Sequence, residues 1–311
     1  METIAVVLEQ PGQLTLKPLA VQPPGADDIV VDALWSGISS GTERLLWSGQ
    51  MPAFPGMGYP LVPGYETVGI VRRGGHGFSE GDRVFVPGAN CYGPVRGLFG
   101  AAASRIVLPA QRAIALRNIE AESGTLLALA ATAHHALVDD GKPLPGLIIG
   151  HGTLGRLMAR IVLALGGEAP TVWETNESRR SGGTGYSVID PATDARRDYA
   201  VICEASGDAT LLDSLIPRLA KRGEIILAGF YHAPLSFTFP PAFMREARFR
   251  IAAEFKPHDV EAVTDLVTTG RLSLDGLITH RAPAADAGQA YQTAFTDPSC
   301  LKMAISWSDL T

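Results

Sequence analysis

Cysteine is scarce: the 311 residues hold only Cys91, Cys203 and Cys300, far apart and odd in number. Neither a disulfide framework nor a CxxC metal cage is expected from them. Long apolar runs are missing as well. No stretch approaches the roughly 18 consecutive apolar residues of a membrane-spanning helix, and the opening METIAVVLEQPG lacks the basic start and apolar core of a secretory signal. A cytoplasmic protein with no transmembrane segment is therefore expected. Basic charge is in deficit, since 26 Lys and Arg stand against 32 Asp and Glu, giving a net charge of -6 and a pI near 5.7. Nucleic-acid binding rests on basic groups that neutralise phosphates, so no nucleic-acid partner is expected. Internal repeats and low-complexity segments are also absent.

What is present is glycine and proline, 34 and 22 of them, in a chain that is 46% hydrophobic and 19% charged. That composition describes a turn-rich globular protein. Its length allows two domains, each with a core of its own.

From the start to about residue 118, short apolar runs (IAVVL, IVVDAL, TVGIVRR, DRVFVPG, SRIVLPA) alternate with Gly and Pro, the pattern of a β-rich unit with long loops. The loops 47–63 and 91–99 are unusually apolar. Trp47, Met51, Phe54, Met57, Tyr59, Tyr92 and Phe99 either pack on the domain body or line a slot for a large, flat, apolar ligand.

Near residue 120 the texture changes. SGTLLALAATAHHALV at 123–138 predicts a buried helix. Strands LIIG (147–150), TVWE (171–174), YAVICEA (199–205), EIILAGF (224–230) and FRIAAEF (249–255) then alternate with helices over about 154–165, 209–221 and 258–269. Such alternation predicts an α/β fold with a doubly wound parallel sheet. The tail ending in LKMAISW is expected to return to the first domain, giving a β-rich domain of 1–120 with 256–311 and a nucleotide-binding domain of 121–255.

Residues 150–155 read GHGTLG directly after the strand LPGLIIG and at the mouth of an apolar helix. In that context the glycines form a dinucleotide fingerprint. Gly150 allows the turn, Gly152 lets the backbone approach a pyrophosphate, and Gly155 lets helix and strand pack closely. The N–H groups at the helix start, around Thr153 and Leu154, then face the phosphates. An acidic residue about 20 positions on reads the adenosine ribose, and Glu174 ends its strand at that distance. A carboxylate there repels a 2′-phosphate, so NAD is favoured over NADP. Arg179 and Arg180 lie just beyond, and reverse that choice if their loop folds back.

Several blocks in order, VPGYETVGIV (62–71), GDRVFVPG (81–88), GHGTLG, VICEASG (201–207), KRGEIILAGF (221–230) and LVTTGRLSLDGLITHR (266–281), resemble the medium-chain dehydrogenase/reductase family over essentially the whole chain. The resemblance implies a β-rich GroES-like catalytic domain joined to a Rossmann dinucleotide-binding domain, with a homodimer as a common arrangement. SGISSGTERLLWSG (36–49), FPGMGYPLVPGYE (54–66), NCYGPVRGLFG (90–100) and LALAATAHHAL (127–137) resemble more closely those members that act on a chlorin or bacteriochlorin in bacteriochlorophyll synthesis. What that implies is oxidation of a 3-(1-hydroxyethyl) group to acetyl with hydride passing to NAD, at a site that includes Trp47, Phe54, Met57, Tyr59, Tyr92 and Phe99. Peripheral docking on the photosynthetic membrane is left open. The alternatives are a zinc-free quinone or enone reductase of the same family and a nucleotide-binding protein without catalysis.

Zinc-dependent members hold the metal through a Cys, the His of a GHE motif and a later Cys. The equivalent positions here read Ser39, Tyr65 and roughly Ala128, so the resemblance implies an enzyme without catalytic zinc. Another group must then take the hydroxyl proton as hydride leaves. Tyr65 either hydrogen-bonds the alcohol oxygen or satisfies its hydroxyl elsewhere. Glu66 orients donors or forms an ion pair, the second being favoured. Thr132 matches a family position beside the nicotinamide. His134 is preferred over His135 as a proton carrier, because helix neighbours point about 100° apart. Ser39 and Thr42 are further hydroxyl candidates, or turn and capping residues.

Overall fold

The computed structural model describes residues 1–53, 55–139 and 141–310, and the chain divides into two compact units, 1–128 with 275–311 and 129–274. The sequence-based division at 120/121 and 255/256 differs mainly in the helix Pro257–Thr268, which lies in the second unit.

In the first unit the strand β1 (Asp28–Ile38) is the hub of a seven-stranded sheet. It pairs antiparallel with β2 (Thr67–Arg73), with Arg105–Pro109 and with the C-terminal strand Met303–Ser306. The tail thus returns to the first unit, as its apolar pattern predicts. A four-stranded sheet holds Gln13–Ala20, Glu2–Gln10, Leu61–Val62 and Arg96–Gly97. Between them lies a core that includes Trp307, Tyr92 and Tyr291, each at most 1% exposed. At about 25 cal/mol per Å2 and roughly 200 Å2 a ring, each contributes on the order of 5 kcal/mol before ordering costs. The short helix α1 (Thr42–Ser48) follows β1 and takes in Trp47, which the sequence reading assigns to a loop.

The second unit carries six parallel strands: β3 (Leu147–Ile149), β4 (Thr171–Trp173), β5 (Ser187–Ile189), β6 (Tyr199–Glu204), β7 (Leu219–Leu227) and β8 (Arg248–Ile251), in the order β5-β4-β3-β6-β7-β8. Chain order reverses between β3 and β6. This is the switch point outside whose strand ends doubly wound sheets bind ligands.

Three local expectations change. The helix predicted over 123–138 is split into a turn at Ala121–Gly124 and α2 (Leu127–Leu137). The one over 209–221 shrinks to Leu212–Leu215 and a 3-10 turn Ile216–Arg218, because Pro217 has no N–H with which to continue a helix. The strand expected to run to 255 stops at Ile251. Helix α3 (Thr153–Ala164) begins one residue before its expected start, while α4 (Phe239–Arg245) was not foreseen. The predicted helix at 258–269 is α5 (Pro257–Thr268). Among the described residues no helix is long and apolar enough to cross a membrane.

Candidate functional site

β3 ends at Ile149 and the chain turns through Gly150, whose φ of 95° suits glycine alone. A Cβ on Gly155 would collide with the Gly150 carbonyl oxygen, so helix and strand approach as closely as the fingerprint requires. Gly152 caps α3 and has open space where a side chain would stand. The first-turn N–H groups at Thr153 and Leu154 have no helical carbonyl before them, and the helix dipole adds partial positive charge there. This cradle fits a pyrophosphate.

Glu174 follows β4 and is 9% exposed. Its Oε2 accepts the His151 N–H at 3.1 Å and its Oε1 accepts the Asn176 N–H at 2.8 Å, so the carboxylate ties the fingerprint turn to the loop after β4. Each oxygen keeps a lone pair for a further donor. His151 itself is buried. Its Nδ1 lies 2.6 Å from the Arg179 carbonyl, which can only accept, so Nδ1 carries the proton and Nε2 accepts from the Tyr186 hydroxyl at 2.9 Å. Burial pushes this imidazole down to about 4 and keeps it neutral. Arg156 donates to the carbonyls of His151, Arg179 and Ser181 at 2.9–3.1 Å. Arg180 is folded back: Nε donates to the Glu174 carbonyl at 2.8 Å, Nη2 to the Thr175 carbonyl at 3.0 Å, and Nη2 is ion-paired with Asp190. Sequence reasoning missed His151, Arg156 and Tyr186. An arginine within an apolar helix was the available signal.

At the switch point, Glu204 ends β6. Its carboxylate accepts the N–H groups of Ser206 at 2.7 Å and Gly207 at 3.2 Å, and the hydroxyls of Ser206 and Tyr231. One buried carboxylate thereby organises the loops after β6 and β7. Burial pushes Glu204 upward against these donors, and the Tyr231 hydroxyl is held protonated by burial and by Glu204. Only the block VICEASG hinted at this group.

In the first unit β1, α1 and the start of β2 bring Ser39, Thr42, Tyr65, Glu43 and Glu66 together. The Tyr65 hydroxyl donates to Ser39 Oγ at 2.7 Å and has Thr42 Oγ1 at 3.5 Å, while its ring meets Phe99 edge-on at 5.0 Å. Burial, with Glu66 beside it, pushes the Tyr65 hydroxyl far up, so it keeps its proton. Glu66 Oε2 is ion-paired with Lys302, both fully or nearly fully buried, and Glu66 Oε1 lacks a hydrogen-bond partner. Glu43 accepts the Ser39 N–H at 3.3 Å through Oε1 and is pushed up to about 8, first by burial and then by Glu66. It is a neutral acid at pH 7. Neither Lys302 nor Glu43 was singled out from sequence, since nothing local marks a lysine 236 residues from Glu66 as its partner.

The donor set does not fit zinc. Ser39 and Tyr65 satisfy each other, Ala128 has no donor, Lys302 occupies Glu66, and among the described residues no group of three His, Cys, Asp or Glu is arranged to hold a metal ion.

On α2, His134 and His135 both turn to one carboxylate. Asp259 of α5, 1% exposed, takes His134 Nδ1 at 2.7 Å on Oδ1 and His135 Nδ1 at 3.0 Å on Oδ2. The hydrogen bonds from His134 hold Asp259 below its usual range against burial, so it is an acceptor and both Nδ1 atoms donate. The Nε2 of His134 is thereby left as the basic nitrogen. Thr132 lies on the same helix.

The apolar loop residues divide. Tyr92 is 1% exposed, belongs to the core and donates to the Gly100 carbonyl at 2.6 Å. Met51 is 7% exposed within a second cluster, on which Trp47, Met57 and Tyr59 pack half-buried. Trp47 meets Phe295 at 5.7 Å, and Tyr59 donates to the Leu46 carbonyl. Phe99 stays half-buried against Tyr65. Phe54 lies outside the described residues.

The alcohol dehydrogenase GroES-like domain family matches residues 25–118. The chain is 58% identical to the 2-desacetyl-2-hydroxyethyl bacteriochlorophyllide A dehydrogenase of Cereibacter sphaeroides and 56% identical to that of Rhodobacter capsulatus, covering 99% of each chain in both cases. The chain belongs to the medium-chain dehydrogenase/reductase family. It is an oxidoreductase of the alcohol dehydrogenase type. The solved L-idonate 5-dehydrogenase of Escherichia coli superposes with a TM-score of 0.86 over 99% of both chains; at 16% identity that likeness is one of fold.

Proposed function

We propose that this family member oxidises the 3-(1-hydroxyethyl) group of a chlorophyllide or bacteriochlorophyllide to 3-acetyl in bacteriochlorophyll synthesis, with NAD and without zinc. The observation that carries the substrate is the end-to-end similarity to two dehydrogenases named for a hydroxyethyl bacteriochlorophyllide. The hydroxyl pair of Ser39 and Tyr65 supports the zinc-free reading, because the resemblance matches those two positions to ligands of a zinc-dependent member.

A bound nicotinamide would supply the hydride acceptor. Gly150, Gly152 and the α3 N-terminus would hold its pyrophosphate, Glu174 would accept the ribose hydroxyl, and Thr132 is the residue we assign to contact the nicotinamide. Tyr65 is too firmly protonated to act as a phenolate base. Its oxygen instead accepts a hydrogen bond from the alcohol while its own O–H goes on donating to Ser39 Oγ, and Thr42 offers a second acceptor. His134, fixed through Nδ1 by Asp259, leaves Nε2 as the acceptor we assign to the hydroxyl proton. Met57, Tyr59 and Phe99 supply half-buried apolar surface for the macrocycle, whereas Tyr92 serves packing.

A homodimer fits the exposed edge strand β8. Ile251 on that strand is 77% exposed, and Met244 at 72% with Phe239 and Phe243 at 65% each line a depression of about 700 Å3 that also takes in Phe249 of β8. An unpaired edge beside so much apolar surface invites another strand, and a two-fold copy closes the contact.

Incubating the purified protein with NAD and a hydroxyethyl chlorin, while following NADH and the pigment spectrum, tests the activity. Acetyl pigment and NADH should appear together in equal amounts. Turnover of quinones or enones in place of the chlorin, or no turnover at all, would overturn the proposal.

A further inference from the structure

We propose that Asp190 is a positioning residue that sets cofactor choice by withholding Arg180 from a 2′-phosphate; this rests on the reading of NAD as the cofactor. Glu174, at the end of β4 and bonded to the fingerprint turn, marks where the adenosine ribose lies. Arg180 reaches that place, since its Nε is 2.8 Å from the Glu174 carbonyl and its Nη2 is 3.0 Å from that of Thr175. A guanidinium in this loop is suited to accepting a phosphate, because its planar fork matches two phosphate oxygens.

Here the fork is already taken. Nη2 is ion-paired with the carboxylate of Asp190, in the turn after β5. Asp190 is itself held, because its Oδ1 accepts the Ala192 N–H at 2.9 Å at the start of the 3-10 turn Pro191–Thr193. The carboxylate neutralises Arg180 and occupies its Nη2. The other nearby guanidinium, Arg156, spends its N–H groups on three backbone carbonyls. Discrimination against NADP therefore has two parts: repulsion by Glu174, and the loss of a phosphate clamp to Asp190. Arg180, which the sequence reading counts towards NADP if its loop folds back, does fold back, and this ion pair holds it there.

The test compares the parent, Asp190→Asn, Arg180→Ala and the double variant, reading Kd for NAD and for NADP by titration calorimetry. Asp190→Asn keeps an oxygen for the Ala192 N–H and removes only the charge. It should tighten NADP about tenfold, the scale of one charge-assisted hydrogen bond. NAD binding and the thermal unfolding temperature should stay at the parent level, and adding Arg180→Ala should abolish the gain. An unchanged Kd for NADP in Asp190→Asn, or a gain that survives removal of Arg180, would refute the role of Asp190. A parent that binds NADP more tightly than NAD would refute the reading of NAD instead, and the effect of Asp190→Asn on NADP would still be measured separately.

Discussion

Replacing Glu43 by Gln should make the first unit more stable at alkaline pH while changing little at pH 5. Glu43 is wholly buried and its carboxyl is pushed from the ordinary 4.5 to about 8. A carboxyl raised in this way keeps in the folded chain a proton that the unfolded chain has released. Stability therefore falls as pH rises from about 4.5 to about 8. At about 1.4 kcal/mol per pH unit, the cost across that window is on the order of 5 kcal/mol. Gln cannot ionise and escapes it, losing only the carboxyl O–H, worth about 1 kcal/mol. Urea unfolding followed by tryptophan emission is suitable, because Trp35, Trp47 and Trp307 all lie in the first unit. The stability difference between variant and parent should grow with pH and level off above about 8. A difference that is flat from pH 5 to 9 would refute the buried neutral acid.

Three further outcomes follow from the same geometry. Tyr65→Phe removes the hydroxyl that would meet the alcohol and should lower kcat roughly 100-fold, with NAD affinity by calorimetry unchanged; parent-level kcat would count against it. Lys302→Met leaves Glu66 buried without its counter-charge and should cost about 3–5 kcal/mol in urea unfolding, whereas Lys302→Met with Glu66→Gln should recover most of that; no recovery would mean that packing, not charge, is lost. Ile251→Lys places a charge on the edge strand β8 and should give a monomer by light scattering, while a parent that is already monomeric would remove the proposed interface.

The nucleotide cradle was legible because it is local. Strand, GHGTLG and helix are contiguous, and Glu174 follows at a fixed distance, so spacing alone carries the geometry. The parallel sheet was legible for a similar reason, since apolar strands flanked by helices have few ways to bury both faces. The helix predicted over 209–221 is cut short at Pro217, and strand β7 starts as early as Leu219.

By itself the sequence determined that a dinucleotide turn exists and that the tail is apolar enough to rejoin a sheet. Only the tertiary structure decided which charges meet. Asp259 collects two histidines more than 120 residues away, Lys302 reaches Glu66 across 236 residues, and Asp190 captures Arg180. It also decided that Tyr92 is core while Phe99 stays half-buried beside Tyr65. The physical reason is that a turn depends on φ and on close approach between neighbours, whereas an ion pair or a pKa depends on strand order and burial, which no window of sequence contains.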